Sequence, residues 1–234
     1  MEKVFDMKYF VTSDPHGHYM EMRSALDKAG FDSENPDHHL VIAGDLFDRG
    51  TENVNILNYV YDLLEKDKIT LIKGNHDEFF YDLNNMDWNI QHNGFNTTVN
   101  EFLEKPIAGN AYTVVNKIME NQPKLQPVLS SMIDSLKIDN YVITHGGLNK
   151  DGQPDNWNNV PRWITRGNSE NDGNIYIFGH WHAYDLNQRF LGKNNLHAPF
   201  VYENYIGIDN AVALTGEMFV YIIEDKQGES YEQI

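Results

Sequence analysis

Apolar residues fall along this chain in short runs, and most of the runs end on a polar cluster that contains glycine. Residues 8–12 read Lys-Tyr-Phe-Val-Thr, 40–43 Leu-Val-Ile-Ala and 69–72 Ile-Thr-Leu-Ile. Residues 140–144 and 174–178 repeat the pattern with Tyr-Val-Ile-Thr and Ile-Tyr-Ile-Phe after an Asn. Short β-branched and aromatic runs bounded by turn formers predict buried strands. Two segments carry helical spacing instead. In 19–29 the apolar positions are Met22, Leu26 and Ala29, and Gly30 follows as a C-cap residue. In 52–66, Val54, Leu57, Val60, Tyr61 and Leu64 form one stripe. Strands alternating with helices predict a parallel sheet with right-handed crossovers. Ligands of such sheets sit beyond the carboxyl ends of the strands.

The rhythm breaks over 78–137, which is rich in Asn and punctuated by Gly94, Gly109, Pro123 and Pro127. Spacing within it suggests helices over 113–120 and 127–136, so the segment reads as a mostly helical insertion over one side of the site. Residues 149–174 read as loop, with Trp157, Arg162, Trp163 and Arg166 in it. Residues 200–224 read as two or three closing strands, with turns at Asp209-Asn210 and at Thr215-Gly216-Glu217. No repeat, low-complexity run or dividing linker interrupts the chain, and a single domain over 1–234 is expected.

Composition narrows the chemistry. Hydrophobic residues make up 41% and charged residues 23%, which is globular rather than disordered. The formal net charge of −17 argues against a general nucleic-acid surface and against anionic membrane. With no cysteine, any metal must be held by oxygen and imidazole, a donor set that suits Mn, Fe, Zn or Mg. The first residues, Met-Glu-Lys-Val-Phe-Asp, show no basic stretch leading into an apolar one, and no run approaches the ~20 residues of a membrane helix. A cytoplasmic enzyme is the expectation.

Five clusters stand at the ends of five predicted strands: Asp14 with His16, Asp45 with Asp48, Asn75 with His76, His145, and His180 with His182. Glycine beside each lets the backbone turn sharply enough for the side chains to converge. Asp and Asn are ordinary turn residues, but a turn does not call for five His at strand ends. His18, His38, His39, His92 and His197 fit no such cluster and read as surface or core residues. Trp88, Trp157, Trp163 and Trp181 read first as packing. Asp77 reads as a loop-fixing residue.

The ordered set Asp-x-His, Gly-Asp-x-x-Asp, Gly-Asn-His-Asp, His and Gly-His-x-His resembles the calcineurin-like metallophosphoesterase family. The longer Asp-Leu-Phe-Asp-Arg-Gly at 45–50 and Thr-His-Gly-Gly at 144–147 are similar to its bacterial and phage serine/threonine protein phosphatase branch. His182 departs from the branch nearest the eukaryotic protein phosphatases and fits the wider family. The resemblance implies an α/β fold, a β-sandwich of mixed sheets flanked by helices. It implies two divalent metals, manganese first among the choices. The first would take Asp14, His16, Asp45 and His182. The second would take Asp45, Asn75, His145 and His180, with Asp45 bridging. It implies His76 as general acid held by Asp48, Arg49 as a phosphate clamp, and Arg166, or Arg162 in its place, as a second phosphate contact. The favoured substrate is a phosphorylated protein. The alternatives are a nucleotide such as a dinucleoside polyphosphate, or a non-catalytic protein-binding scaffold, which would have no use for a complete ligand set.

Overall fold

The computed structural model describes residues 7–103, 105, 107–167, 172–225 and 232–233. The reading of the first six residues lies outside them. Two sheets face one another. The first has the order β3-β2-β1-β9. It is built from β1 (Met7–Thr12), β2 (His38–Ala43), β3 (Ile69–Ile72) and β9 (Tyr221–Asp225). The second has the order β10-β4-β5-β6-β8-β7. Its strands are β4 (Ser135–Ile138), β5 (Tyr141–Thr144), β6 (Ile175–Phe178), β7 (Phe200–Tyr202), β8 (Tyr205–Gly207) and β10 (Glu232–Gln233).

Alternation along each strand sorts the side chains between layers. Tyr9, Val11, Val41, Ala43 and Ile72 of the first sheet pack against Ile143, Ile177 and Ile206 of the second. Phe10, Leu40 and Ile42 point the other way, into a helical layer. That layer holds α1 (Tyr19–Ala29), α2 (Asn53–Leu64), α4 (Phe95–Leu103), α5 (Ala111–Asn121) and α6 (Leu125–Ser130). The outer face of the second sheet is covered by α7 (Val160–Arg166) and α8 (Ala183–Leu191), with Trp163 and Leu186 fully buried against Val142, Tyr176 and Phe178. A short α3 (Met86–His92) precedes α4, and α9 (Val212–Thr215) follows β8.

The architecture is the sandwich of mixed sheets, not the single parallel sheet that alternation alone predicts. β1, β2 and β3 are parallel, but β9 closes the sheet antiparallel, pairing Ile223 with Tyr9. β5, β6 and β8 are likewise parallel to one another. The carboxyl ends of neighbouring strands are therefore aligned within each sheet.

Four sequence readings change. The buried face of α2 is Ile56, Leu57, Val60 and Leu63 with Asn53, while Val54, Tyr61 and Leu64 are only half-buried. The stripe lies rotated because the helix is roofed by α4 and α6 as well as by the sheet. The helix expected over 127–136 ends at Ser130, and Ser135 and Leu136 open β4, paired with Thr144 and Ile143. The loop-rich 149–174 contains α7, whose start is fixed by Asn159 accepting from the N–H of Arg162 and by Pro161 in its first turn. α8 follows His182 directly, where no helix is expected.

Candidate functional site

The loops after β1, β2, β3, β5 and β6 bring most of the sequence-predicted residues together. Their backbones are unusual. Among the described residues ten non-glycine positions have positive φ, and six of them are Asp14, His16, Asp45, Asp48, Arg49 and His180. Left-handed backbone costs of the order of 1 kcal/mol or more for such residues and collects at functional sites. Glycine makes the approach of the loops feasible: a Cβ on Gly74 would overlap the Asp45 carboxylate, and one on Gly179 the Asp14 carboxylate.

Two imidazoles are locked by the main chain. His16 Nδ1–H donates to the Phe47 carbonyl at 2.9 Å, and His145 Nδ1–H donates to the Ala43 carbonyl at 2.9 Å. A carbonyl only accepts, so each Nδ1 carries the proton and, in the neutral ring, each Nε2 is bare. The bare His16 Nε2 faces Asp45 Oδ2 at 3.5 Å and Asp14 Oδ1 at 4.0 Å. The bare His145 Nε2 faces Asp45 Oδ1 at 3.5 Å and Asn75 Oδ1 at 2.9 Å. His180 Nδ1 lies 2.9 Å from the same Asn75 oxygen. Asp14 Oδ2 accepts from the His180 main-chain N–H at 3.1 Å. Lone pairs thus converge from both sides of Asp45 inside a buried site.

The electrostatics say the same. Burial, with Asp209 and Asp45 nearby, pushes Asp14 well above the usual carboxylate range. Burial also raises Asp45, but His145, His76 and His16 outweigh it and hold that carboxyl below its ordinary value. Burial lowers His16, and burial with His145 beside it lowers His180 to about 3. Crowded buried acceptors with too few protons call for a cation. His16, Asp45 and His76 form one group whose ligand atoms all lie within 4.8 Å of one another, and Asp14, Asp45 and His145 form a second. Oxygen and imidazole donors sharing one carboxylate fit a pair of divalent cations.

His76 sits at the edge of this site. Its Nδ1–H donates to Asp48 Oδ2 at 2.8 Å, and Arg49 Nη2 donates to its Nε2 at 3.1 Å. Burial lowers its pKa, but the carboxylates of Asp45 and Asp48 overcome that and leave it raised. Asp48 is itself pinned. Its N–H donates to Asn53 Oδ1 and Thr98 Oγ1, each at 2.9 Å, and the Thr98 hydroxyl hydrogen-bonds its carboxylate. Thr98 belongs to α4, and the Gly94 carbonyl at the start of that helix accepts the Arg49 N–H at 3.1 Å. Gly94 and Thr98, within the segment 78–137, therefore reach the site. Asp77 fixes the loops: its carboxylate accepts N–H groups from Gly74, Asp45 and Leu46 at 2.8, 2.9 and 3.1 Å.

Not every predicted residue joins. His182 Nδ1 lies 3.5 Å from Asp185, and its Nε2 lies 3.9 Å from Asp209 Oδ2. Asp209 is a buried acid read from sequence only as part of a turn. Burial outweighs His182, the Ala211 N–H and Arg49 and leaves its pKa raised. Its signal was the same as elsewhere, an acid just past the strand run Tyr-Ile-Gly of β8. Arg166 is exposed and donates to the carbonyls of Leu148 and Asn149 at 3.1 and 2.9 Å. Arg162 is exposed on the same helix. Trp163 is buried as expected, whereas Trp88 and Trp157 are exposed.

The family described as calcineurin-like phosphoesterase matches residues 7–210. The asymmetrical bis(5'-nucleosyl)-tetraphosphatase PrpE of Bacillus subtilis (strain 168) is 30% identical over 154 residues, covering 62% of this chain and 59% of that protein. The symmetrical bis(5'-nucleosyl)-tetraphosphatase of Buchnera aphidicola subsp. Acyrthosiphon pisum (strain Tuc7) is 42% identical over 69 residues, 30% of this chain and 23% of that protein. The chain thus spans less than two thirds of these relatives. A mutant cold-active protein tyrosine phosphatase shares the fold with a TM-score of 0.66 at 16% identity, covering 100% of this chain and 84% of that one. A protein serine/threonine phosphatase from Saccharomyces cerevisiae shares it with a TM-score of 0.53 at 15% identity, covering 98% and 82%. No described helix is long and apolar enough to cross a membrane.

Proposed function

This chain belongs to the calcineurin-like phosphoesterase family, and from that premise we propose that it is a dinuclear-metal hydrolase of dinucleoside polyphosphates. A metal-dependent phosphoesterase follows from the family and the two His/Asp groups sharing Asp45. The observation that carries the catalytic reading is the arrangement of His76 between Asp48 and Arg49 at the edge of those groups. The nucleotide substrate is supported by the names of the two relatives, both tetraphosphatases.

Asp14, His16, Asp45, Asn75, His145 and His180 would hold the cations, with Asp45 shared and manganese the first metal to try. When bound, two divalent cations supply hydroxide at neutral pH and positive charge against the phosphoryl oxygens. The protein's own groups do the rest. Arg49 is exposed and charged, and it grips phosphate oxygens when it turns from His76 Nε2. That turn frees Nε2 to take up a proton, which the raised pKa of the ring favours. As the oxygen of the incoming water, one proton of which goes to solvent, bonds to phosphorus, the bond from phosphorus to the leaving oxygen breaks. The Nε2 proton passes to that leaving oxygen. Asp48, pinned by Asn53 and Thr98, holds the other ring nitrogen and so decides which nitrogen faces the substrate. His182 with Asp209 stands beside these residues as a further polar pair.

A second reading, a serine/threonine protein phosphatase, is favoured by Asp-Leu-Phe-Asp-Arg-Gly at 45–50. One panel separates the two. Chelated protein is reloaded with Mn²⁺, Fe²⁺, Zn²⁺ or Mg²⁺ and given diadenosine tetraphosphate, a phosphoserine peptide and glycerol 2-phosphate. The expected outcome is metal-dependent turnover with the highest kcat/KM on diadenosine tetraphosphate. Preference for the peptide transfers the assignment to the second reading. No hydrolysis with any of these metals refutes both.

A further inference from the structure

A second concave region begins one side chain away from the acid. The Phe79 ring lies 4.6 Å from the His76 ring, and Phe79 lines a cavity of about 540 Å³ together with Trp88, Asn89, Asn93, Trp157 and Glu78. On the other side Asn93 adjoins Gly94, the residue that accepts the Arg49 main-chain N–H. The cavity is within the size of ordinary small-molecule sites. Two large aromatic side chains border it while standing open to water, Trp88 at 60% and Trp157 at 58% exposure.

Both indoles are held rather than loose. Trp157 Nε1–H donates to Glu78 Oε2 at 3.0 Å, and Asn156 donates to the other oxygen at 3.2 Å. His92 stacks on Trp88 with ring centroids 3.8 Å apart and planes 20° apart. The wall also contains a mismatch. Asn89 is 3% exposed, its Oδ1 accepts from Asn93 at 2.8 Å, and its Nδ2 has no acceptor among the described residues. An unmatched buried donor is costly and is matched when a ligand acceptor reaches it. The carboxylates of Glu78 and Asp82 in the lining disfavour phosphate there. A flat, uncharged group with ring acceptors is what this wall accommodates.

We infer that the cavity between Trp88 and Trp157 receives a nucleobase of the substrate, stacked on indole, with the Asn89 amide donating to a ring nitrogen or carbonyl. The phosphate chain then runs from the cavity past Arg49 and His76. The inference rests on the nucleotide reading above and names the part of the chain that makes it selective. In this inference the Asn89 side chain turns at the cavity wall to present Nδ2, which is buried in the free protein.

The test measures kcat and KM for diadenosine tetraphosphate and for glycerol 2-phosphate in wild type, Trp88→Ala, Trp157→Ala and Asn89→Asp. The Trp positions are exposed, so folding is retained. Asn89→Asp keeps the acceptor that Asn93 uses and removes the donor. Each Trp variant is expected to lose about 10-fold or more in selectivity for diadenosine tetraphosphate over glycerol 2-phosphate, through KM rather than kcat, as loss of one base stack does. Asn89→Asp shifts the same ratio in the same direction. Adenosine 5'-monophosphate, but not ribose 5-phosphate, is expected to quench tryptophan fluorescence. Diadenosine tetraphosphate cleaved with unchanged selectivity in all three variants overturns the cavity's role and leaves the nucleotide reading standing. Wild type that cleaves glycerol 2-phosphate but not diadenosine tetraphosphate overturns the nucleotide reading itself.

Discussion

Removing the Asp77 carboxylate separates two opposing effects that the structure places on one side chain. It accepts three main-chain N–H groups, from Gly74, Asp45 and Leu46, and so ties the loop after β2 to the loop after β3. All three donors are buried. In Asp77→Ala they lose their acceptor, at about 1–3 kcal/mol each, or about 3–9 kcal/mol together. Against that, burial and the neighbouring Asp45 move the Asp77 carboxyl from 3.8 up to about 7, despite the three N–H donors. Its folded-state value is raised, so its contribution to stability is fully present below 3.8 and is lost as pH rises through about 7. By pH 8 that loss reaches ~4 kcal/mol; at pH 5 it is under half as large. Asp77→Ala removes this penalty, so the variant is expected to be hurt more at pH 5 than at pH 8, by ~2 kcal/mol. Asp77→Asn, which keeps one acceptor oxygen, falls between. Urea unfolding of chelated wild type, Asp77→Ala and Asp77→Asn at the two pH values reads the difference directly. Equal losses at both, or a smaller loss at pH 5, refute the account of the carboxyl. No loss at pH 5 refutes the stapling.

Two further expectations follow from single side chains. His76→Asn should lower kcat by ~10²–10⁴-fold with metal content unchanged by elemental analysis; metal loss without a turnover defect contradicts its role as acid. His39 is lowered from 6.5 to about 4 by burial, with Nε2 2.9 Å from Thr70 Oγ1. A depressed value means that its stability contribution is present above pH 6.5 and lost as pH falls towards about 4, at most ~3 kcal/mol. Urea unfolding of chelated wild type should therefore weaken over that window relative to His39→Gln, and parallel pH profiles would rule this out.

The strands that end on the five polar clusters were legible because each is a local pattern, whereas β4 was hidden in the helix expected over 127–136. A four-residue apolar run followed by Asp-x-His or Gly-Asn-His needs no tertiary information to be seen. The phase of α2 was not local. Leu63 is buried and Leu64 half-buried because α4 and α6 cover the helix, which no spacing rule on 52–66 alone reports. The start of α7 was written in Asn159 and Pro161, and α8 in the spacing of Ala183 and Leu186, but both are short and follow polar loops. The tryptophans show the same limit from the other side. Trp163 is sealed beneath Gly147 and among Tyr176, Phe178 and Tyr205, while Trp88 and Trp157 stand open beside Phe79. Residue type is identical in all three; position relative to the sheets decides.

The site follows from how the two sheets meet. Asp14, His16, Asp45, Asn75 and His76 extend from the first sheet, and His145 and His180 from the second. Asp45 meets His145 only because Ala43 and Ile143 pack in the layer between the sheets, where His145 also finds the Ala43 carbonyl. A motif can name these residues, but only the closed sandwich sets bare imidazole nitrogens against buried carboxylates. The same closure explains His182 and Asp209. His182 begins α8, and Asp209 follows β8, with its carbonyl taking the N–H of Ala183 at 2.7 Å. That bond anchors the helix start beside the acid and leaves His182 facing Asp209 rather than Asp45. Linear order groups His180 with His182, whereas the backbone between them turns the His180 imidazole to the Asn75 amide oxygen and the His182 imidazole to Asp209.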